Sequence, residues 1–329
     1  MSTTTLGQIP PGVQAFYDRN LLARAQPSEV HGRFGQKRPI AQRNGNQIKF
    51  RRYSQLAVAS TALTEGVTPT GSSLAVTDLT ATLSQYGDYI TLSDLVSMTN
   101  QDAVVTEATD VLGDQAGTTI DQARRDVLVA GTNVAYASGV ASRILVASKI
   151  VSSDLDKALR FLKVQNAKYV KEGIMPSDRV GTGSVRKAFI ALVHPDVEFD
   201  LENIVGYRSI SDYGTQEQTM DDEIGAYKNI RFVSSTNCKI FGGAGAAGTT
   251  VYKNNGANFD VYATLIIADN AYGVCPLSGN AMNTYVKALG SAGSADPLEQ
   301  RSTVGWKATT TTKILNDSWM IRLETGASL

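Results

Sequence analysis

The sequence predicts an α+β fold, on three observations. One long segment repeats its apolar residues at helical spacing, two period-two segments flank a polar stretch like the sides of a long hairpin, and two β-like runs close the chain. None of these elements can bury its apolar side alone, so all three require packed layers around a shared core.

Residues 1–47 read as an arm. Pro10, Pro11, Pro27 and Pro39 break any helix beyond a turn or two. A short helix is expected only from Val13 to Arg24, where Phe16, Leu21 and Leu22 share a face. The rest is rich in Gly, Pro, Gln and Asn without an apolar period, which makes it an extended strap that cannot fold on its own. Residues 48–92 read as the hairpin. Ile48 and Phe50 begin one strand, Leu79, Ala81 and Leu83 mark the return, and Gly87 shifts the phase before Ile90 and Leu92 as a bulge would. The tip, Ser60 to Ser73, has almost nothing to bury. Sides of some 11 residues at about 3.3 Å each could give a reach of about 40 Å. Such a hairpin is unstable alone in water and must lie on something, most naturally a neighbouring subunit.

Residues 93–195 hold a long helix over 102–131 and further elements. Val104, Ala108, Val111, Ala116, Ile120, Ala123 and Val127 recur at three-to-five-residue spacing, with Glu107, Asp110, Asp114, Asp121 and Arg125 mostly on the polar side. Ala and Val in the stripe predict close packing on a sheet, and Gly131 ends the helix. A second helix is expected over Asp154 to Val170, capped by Ser152 or Ser153, with Leu155, Leu159, Leu162 and Tyr169 buried. Ala188 to Val193 is a continuous apolar run that suits a fully buried strand. Residues 196–290 read as a separate lobe of short strands, including Ile230–Val233 and Phe259–Ala268. In 291–329, Trp306–Leu315 and Ser318–Leu323 are expected to return to the sheet beneath the long helix.

The 329 residues carry 31 basic and 31 acidic groups, so the net charge is zero, yet the charge is segregated. Nine basic residues from Arg19 to Arg52 face only Glu29, and nine acidic residues from Asp196 to Glu223 face only Arg208. A basic arm points to nucleic acid or an acidic protein surface. Two Cys are too few for a disulfide scaffold, and two His leave little material for a His-rich metal site or a Ser-His-Asp enzyme. The sequence begins without the charged start and apolar run of a signal peptide, and holds no apolar stretch of about 18 residues, so no membrane partner is expected.

Individual chemical candidates weaken on inspection. Gly243, Gly245 and Gly248 spell a dinucleotide-type pattern, but Thr249, Thr250, Val251 and Tyr252 follow where a helix must open. The run is read as a flexible Gly/Ala loop. His194 with Asp196 could do acid–base work, yet no nucleophile stands at a recognisable spacing, so a structural histidine capping the strand is preferred. Cys238 and Cys275 read as buried small apolar residues. Asp221, Asp222 and Glu223 lack the alternation and Gly of a calcium loop and read as a solvated acidic face. No catalytic residue, metal or cofactor is expected.

The order of arm, polar-tipped hairpin, long helix and interrupted outer layer resembles the major capsid proteins of tailed bacteriophages, with the Hong Kong 97 type fold. The strings "VHGRFGQKRPIAQRNGNQIKFRRYSQL" (30–56), "ALTEGVTPTG" (62–71), "QYGDYITLSDL" (85–95), "EIGAYKNIRFV" (223–233) and "ADPLEQRSTVGWKA" (295–308) look like the coat proteins of podophages similar to coliphage N-four. The resemblance implies a shell of hexamers and pentamers around double-stranded DNA, assembled in the host bacterial cytoplasm. Portal, scaffolding or decoration proteins are implied partners. Mapped onto this chain, 1–47 is the N-terminal arm, 48–92 the extended loop and 102–131 the spine helix. The peripheral domain becomes 150–195 with 291–329, and the axial domain 196–290. On this reading Arg51, Arg52, Glu65 and Thr68 make intersubunit contacts, while Arg33, Lys37, Arg38 and Arg43 line the inner face near DNA. No Lys occurs between Lys49 and Lys149, so the extended loop lacks the amine for the isopeptide bond of the founding pattern. An encapsulin-type compartment shares the fold and is the alternative; a nucleotide-binding enzyme at Gly243–Gly248 is the remote one.

Overall fold

The structure, a computed structural model, describes residues 29–99 (except 44, 55 and 69), 104–171, 187–213, 219–248, 253–278 (except 255 and 257), 282–291 (except 288) and 296–329. The helix expected over Val13 to Arg24, and Arg19 with it, lie outside the described residues.

Two sheets and a hairpin organise the chain. The first sheet is built on the long strand Arg301–Ile314, which pairs antiparallel with Ser84–Ser93, Met282–Lys287 and Tyr272–Pro276. Gln36–Lys37 of the arm adds to it in parallel beside Tyr272–Pro276. The second has eight strands, in the order Val134–Tyr136, Met320–Thr325, Val261–Ile267, Phe189–Val193, Ile230–Ser234, Glu223–Tyr227 and Tyr207–Ser209, with Ile240–Phe241 also on Val261–Ile267. Strands within 196–290 therefore join both sheets: those up to Ile267 enter the second, and Tyr272–Pro276 and Met282–Lys287 enter the first. The two terminal runs also part company. Arg301–Ile314 lies under the long helix as expected, but Met320–Thr325 crosses through a short turn at Asp317–Trp319 into the eight-stranded sheet. That is a correction to the expectation that both return to one sheet. The crossing is made because Met320–Thr325 fills the slot between Val134–Tyr136 and Val261–Ile267.

The core follows from the strand Phe189–Val193, buried at every position. Phe189, Ala191 and Val193 face the helices Ser152–Val164 and Pro195–Glu202 through Leu155, Leu159, Leu162, Val197 and Leu201. Ile190 and Leu192 face Leu128 and Val129 of the long helix, Val30 of the arm and Tyr272 and Val274 of the first sheet. A strand covered on both faces needs an unbroken apolar run, which is why this one shows no alternation.

The long helix spans Val104–Val129, and its first half lies on the first sheet through Leu112, Ala116 and Ile120 against Val304, Trp306 and Ala308. Its buried stripe runs Ala108, Leu112, Ala116, Ile120, Arg124, Leu128 at strict four-residue spacing. Val111 is exposed and Ala123 and Val127 are only half-buried, so the expected stripe is displaced by one residue at those positions. The displacement arises because two charged side chains, Asp121 and Arg124, take places on the buried side. The second helix is Ser152–Val164, shorter than expected. Val151 stands at its N-cap without a side-chain hydrogen bond, so neither serine caps it. Asn166 at φ 52° ends it, with Ala167 N–H donating to Leu162 O at 3.1 Å, a left-handed stop that Asn tolerates.

The hairpin pairs Gln47–Tyr53 with Val76–Thr82, and the apolar residues expected on the two strands meet, Phe50 opposite Leu79 and Ile48 opposite Ala81. The ladder is seven residues long on each side, roughly 23 Å. At Leu83 the chain leaves it and begins Ser84–Ser93 in the first sheet, so the phase change is a passage between sheets. Gly87 is not a bulge: the pairing of Ser84–Ser93 with Arg301–Ile314 runs through it without a shift. It is Gly because a Cβ there would stand 2.7 Å from the Trp306 carbonyl oxygen.

Candidate functional site

Two surfaces carry the charged residues that the fold brings together: a buried junction between the arm and the long helix, and the exposed base and tip of the hairpin. At the junction Asp121, fully buried, is the hub. Its carboxylate accepts the His31 backbone N–H at 2.8 Å, His31 Nδ1 at 2.9 Å and Asn237 Nδ2 at 3.0 Å. Tyr272 donates its hydroxyl to the His31 carbonyl at 2.6 Å. Arg124, about one turn further along the helix, pairs with Glu29 of the arm, and burial pushes its guanidinium pKa down. The arm can approach this closely because residue 35 is glycine: a Cβ there would stand 2.5 Å from the Tyr272 ring. Four chain segments thus share one hydrogen-bonded clasp. Sequence reading missed it, having placed Asp121 on the solvated side. The available signal was a charged pair, Asp121 and Arg124, sitting beside an otherwise apolar four-residue repeat.

The hairpin base is fixed by Phe50, which packs with Ile40, Ala81 and Cys275 and covers Gly273, where a Cβ would meet the ring at 2.6 Å. Arg51 and Arg52 leave the strand on either side of this anchor. Arg51 Nε donates to Asp78 Oδ1 at 3.0 Å, directly across the ladder, which raises the Arg51 pKa and lowers that of Asp78. Arg52 Nη1 donates to Asn316 Oδ1 at 3.1 Å. A cleft of about 480 Å³ opens here between the hairpin and the body. Glu65 and Thr68 lie far along the hairpin, both exposed, Glu65 in a turn where Val67 N–H donates to Thr64 O and Gly66 sits at φ 77°. Around them Val58, Leu63, Val67 and Leu74 are 61–90% exposed. That is apolar surface in a segment with no core of its own.

The four basic residues expected to act together are placed apart. Arg33 turns to the acidic segment of its own chain, 3.9 Å from Asp221 and 3.6 Å from Asp222. Lys37 sits exposed on the parallel edge strand, Arg38 stands 6.0 Å from the Phe50 ring centre, and Arg43 is exposed in a turn at φ 68°.

The acidic trio is likewise divided. Asp221 and Asp222 are exposed, but Glu223 is buried, held by Arg231 Nε at 2.6 Å and by the Tyr213 hydroxyl at 2.8 Å. The expected solvated face is corrected at that position, because the strand Glu223–Tyr227 turns this side chain inward beside Arg231. His194 caps a helix rather than the strand: its Nδ1 accepts the Asp196 N–H at 3.1 Å at the start of Pro195–Glu202. The Gly/Ala run opens no helix among the described residues. It is not a free loop either, since Gly245 is packed against Val146 and Phe259, and Gly248 against the Phe259 ring. Cys238 and Cys275 are buried free thiols, and burial pushes Cys275 up to about 11. Among the described residues no group of three His, Cys, Asp or Glu is placed to hold a metal, and no helix is long and apolar enough to cross a membrane.

Known proteins supply the remaining identification. A family model described as "Phage capsid protein" matches residues 76–322. No curated protein matches the sequence. Among solved structures, the capsid of Ralstonia phage GP4 is similar with a TM-score of 0.72 at 14% identity, covering 100% of this chain and 99% of that one. The capsid of cyanophage P-SCSP1u gives 0.63 at 13%, covering 99% and 96%. The head of Helicobacter pylori bacteriophage KHP40 gives 0.62 at 12%, covering 100% and 98%. At such identities the structures carry the fold, which is the Hong Kong 97 type α+β fold. With a family model over most of its length as well, the chain belongs to the phage capsid protein family and is a structural major capsid protein of the virion.

Proposed function

We propose that this protein builds an icosahedral head as hexamers and pentamers around double-stranded DNA, assembling in the host cytoplasm with portal, scaffolding or decoration proteins. The observation that carries the reading is the hairpin, whose described residues in 54–75 display exposed apolar side chains and bury none within the subunit. Such a segment is covered only by another chain. The hairpin is the extended loop of this reading and Val104–Val129 the spine helix. Residues 150–195 with 291–329 are proposed as the peripheral domain and 196–290 as the axial domain. Arg33, Lys37, Arg38 and Arg43 are the residues proposed to line the inner face near DNA; Lys37, Arg38 and Arg43 are exposed without a described carboxylate partner, whereas Arg33 lies beside Asp221 and Asp222 of its own chain. DNA contact of this kind is sequence-blind and falls steeply with salt, because it is driven by counterion release. The narrower kinship with podophages similar to coliphage N-four rests on the local strings alone.

The shell is proposed to hold without covalent links, since the hairpin lacks Lys beyond Lys49. Negative-stain micrographs of purified particles test the assembly, and their nucleic-acid content separates a phage head from an encapsulin-type compartment loaded with protein. Boiling the particles in denaturing detergent should release one band near 35.1 kDa. A ladder that survives reductant overturns the non-covalent reading.

A further inference from the structure

The cleft of about 480 Å³ between the hairpin base and the body has two walls of different chemistry. The wall formed by the hairpin and the end of the arm is cationic. Arg38, Arg51 and Arg52 line it, and among the described residues no carboxylate does. Arg51 is engaged by Asp78, which lies outside the lining. Arg52 is held only by the neutral amide of Asn316, and Arg38 has no carboxylate partner among the described residues. The body wall stands where three turns converge. Asn166 ends the helix Ser152–Val164, Asn270 turns the chain between Val261–Ile267 and Tyr272–Pro276, and Asn316 to Trp319 crosses from one sheet to the other. This wall offers neutral amides and the Trp319 indole, which is held in place by donating its N–H to Gln165 O at 3.2 Å. Tyr53, 57% exposed, adds a second ring from the hairpin.

We propose that this cleft binds a nucleoside phosphate, with the phosphate between Arg38 and Arg52 and the base against the Trp319 and Tyr53 rings. Three features select that class of ligand. A cleft lined by charges of one sign, with no carboxylate to neutralise them, concentrates anions, and the guanidinium fork matches phosphate oxygens two at a time. The rings beside those forks stack on any base, a contact that inorganic phosphate or a small carboxylic acid cannot use. The amides of Asn166, Asn270 and Asn316 carry both donors and acceptors, as the edge of a heterocycle requires, and the volume is that of a small-molecule site, too small for a duplex. This ligand lies outside the capsid reading, and Arg52 then has a partner in its own subunit in place of the neighbouring copy that the resemblance implies. Because the ligand touches the hairpin on one side and the body on the other, it fixes the angle between them. A free nucleotide and the phosphorylated end of a nucleic-acid strand share this chemistry.

Titration of the full-length unassembled subunit, read by calorimetry and by quenching of tryptophan fluorescence, tests this. The probes are adenosine monophosphate, adenosine, inorganic phosphate and a phosphorylated single-stranded oligonucleotide. The monophosphate should bind at one site, about tenfold or more tighter than adenosine or phosphate, since it alone uses both the forks and the rings. Arg38→Gln and Arg52→Gln should each weaken it by about tenfold, the loss of one charge-assisted contact. Tyr53→Ala should weaken it while leaving the affinity for phosphate unchanged. Lys37→Gln, which removes an exposed cation outside the cleft, should change nothing. All four variants should keep the thermal midpoint of the parent. An oligonucleotide that displaces the monophosphate makes a strand end a second source of the ligand; one that does not makes the free nucleotide its source. Phosphate that binds as tightly as the monophosphate reduces the cleft to a plain anion patch and overturns the proposal. So does an oligonucleotide that binds where the monophosphate does not, and so does monophosphate binding that Arg52→Gln and Tyr53→Ala leave intact. Absence of saturable binding by every probe overturns it outright. None of these outcomes involves particle assembly, so none of them bears on the capsid reading.

Discussion

Among the described residues, two arginine–carboxylate pairs join paired antiparallel strands, and they differ in almost everything except chemistry. Arg51 and Asp78 face each other across the hairpin with side chains 60% and 37% exposed. Arg231 and Glu223 join neighbouring strands of the eight-stranded sheet at 1% and 0%. The second pair is completed by Tyr213, whose hydroxyl donates to Glu223 and whose own pKa is pushed far up by burial and by that carboxylate. A buried pair has one geometry and no substitute partner, so it serves the uniqueness of the subunit. An exposed pair competes with water and can be exchanged for the charges of a neighbour. The eight-stranded sheet carries the buried kind, and the hairpin proposed to meet another copy carries the exposed kind.

The largest expected effect comes from breaking the buried pair on one side. Arg231→Met leaves the Glu223 side chain buried without its cation, at a cost of about 3–5 kcal/mol. Replacing both residues, as Glu223→Leu with Arg231→Met, should cost less than the single change, because no charge is left stranded. Urea denaturation of the unassembled subunit reads both. A double variant less stable than Arg231→Met would show that the pair contributes net stability and that the comparison drawn above needs a different cause.

Next is the clasp at the arm. Asp121→Ala removes the acceptor of three hydrogen bonds at a buried site, with a loss on the order of 3 kcal/mol. It should also expose the segment around residues 29–40 to protease while the eight-stranded sheet stays resistant. Unchanged proteolysis would mean that Val30 and the Gln36–Lys37 strand hold the arm without the clasp.

These sites also mark where the sequence was legible and where it was not. The two strands of the hairpin and their apolar face could be read because period-two alternation at Ile48, Phe50, Leu79 and Ala81 is a local property; the register itself comes from the structure. The long helix was found for the same reason, through its apolar recurrence. Its facing was misplaced because Asp121 finds His31 ninety residues away, and no local pattern announces such a partner. Met320–Thr325 was recognised as β but assigned to the wrong sheet, since propensity specifies a strand and not its neighbours. Glu223 reads as solvated beside Asp221 and Asp222, and only the tertiary position of Arg231 turns it inward. The tip from Ser60 to Ser73 was more legible: it offers little for a core to bury, and its described residues are exposed.

A smaller, pH-dependent effect is expected at His194, between the two extremes of exposure. Its Nδ1 must be unprotonated to accept the Asp196 N–H. Burial lowers its pKa, with Asp196 working against the shift and Lys253 with it. The folded value therefore lies below the unfolded one near 6.5. The contribution is complete above about pH 6.5 and is lost as pH falls through the folded value, up to the worth of one helix cap, about 1 kcal/mol. Asp196 titrates lower: burial raises its pKa, but hydrogen bonds from Lys253 and Tyr262 outweigh that and hold it below the ordinary carboxylate value, so its loss follows in more acid solution. His194→Asn keeps an acceptor at the cap and should flatten the stability profile around pH 6 while leaving the more acidic fall. A profile identical to the parent's would place the titrating group elsewhere.

The smallest effect on the subunit, and the one that sharpens the comparison most, is expected at Arg51. The hydrogen bond to Asp78 and its charge raise the Arg51 pKa, and the hydrogen bond from Arg51 lowers that of Asp78, but both groups are open to solvent, where water and salt screen the pair. Arg51→Gln should therefore leave the urea midpoint of the unassembled subunit unchanged, in contrast to Arg231→Met. Assembled particles respond differently if the hairpin base lies against another copy, because the pair is then partly desolvated and repeated at every contact. Shells of the variant should dissociate at lower denaturant than the parent's, and the gap should narrow as salt is raised from about 0.05 to 0.5 M, where screening shortens from beyond 10 Å to within the contact. A lower midpoint for the isolated variant subunit would make Arg51 a stability residue like Arg231. Shells that dissociate together with the parent's at every salt concentration would place the hairpin base outside the contact between copies.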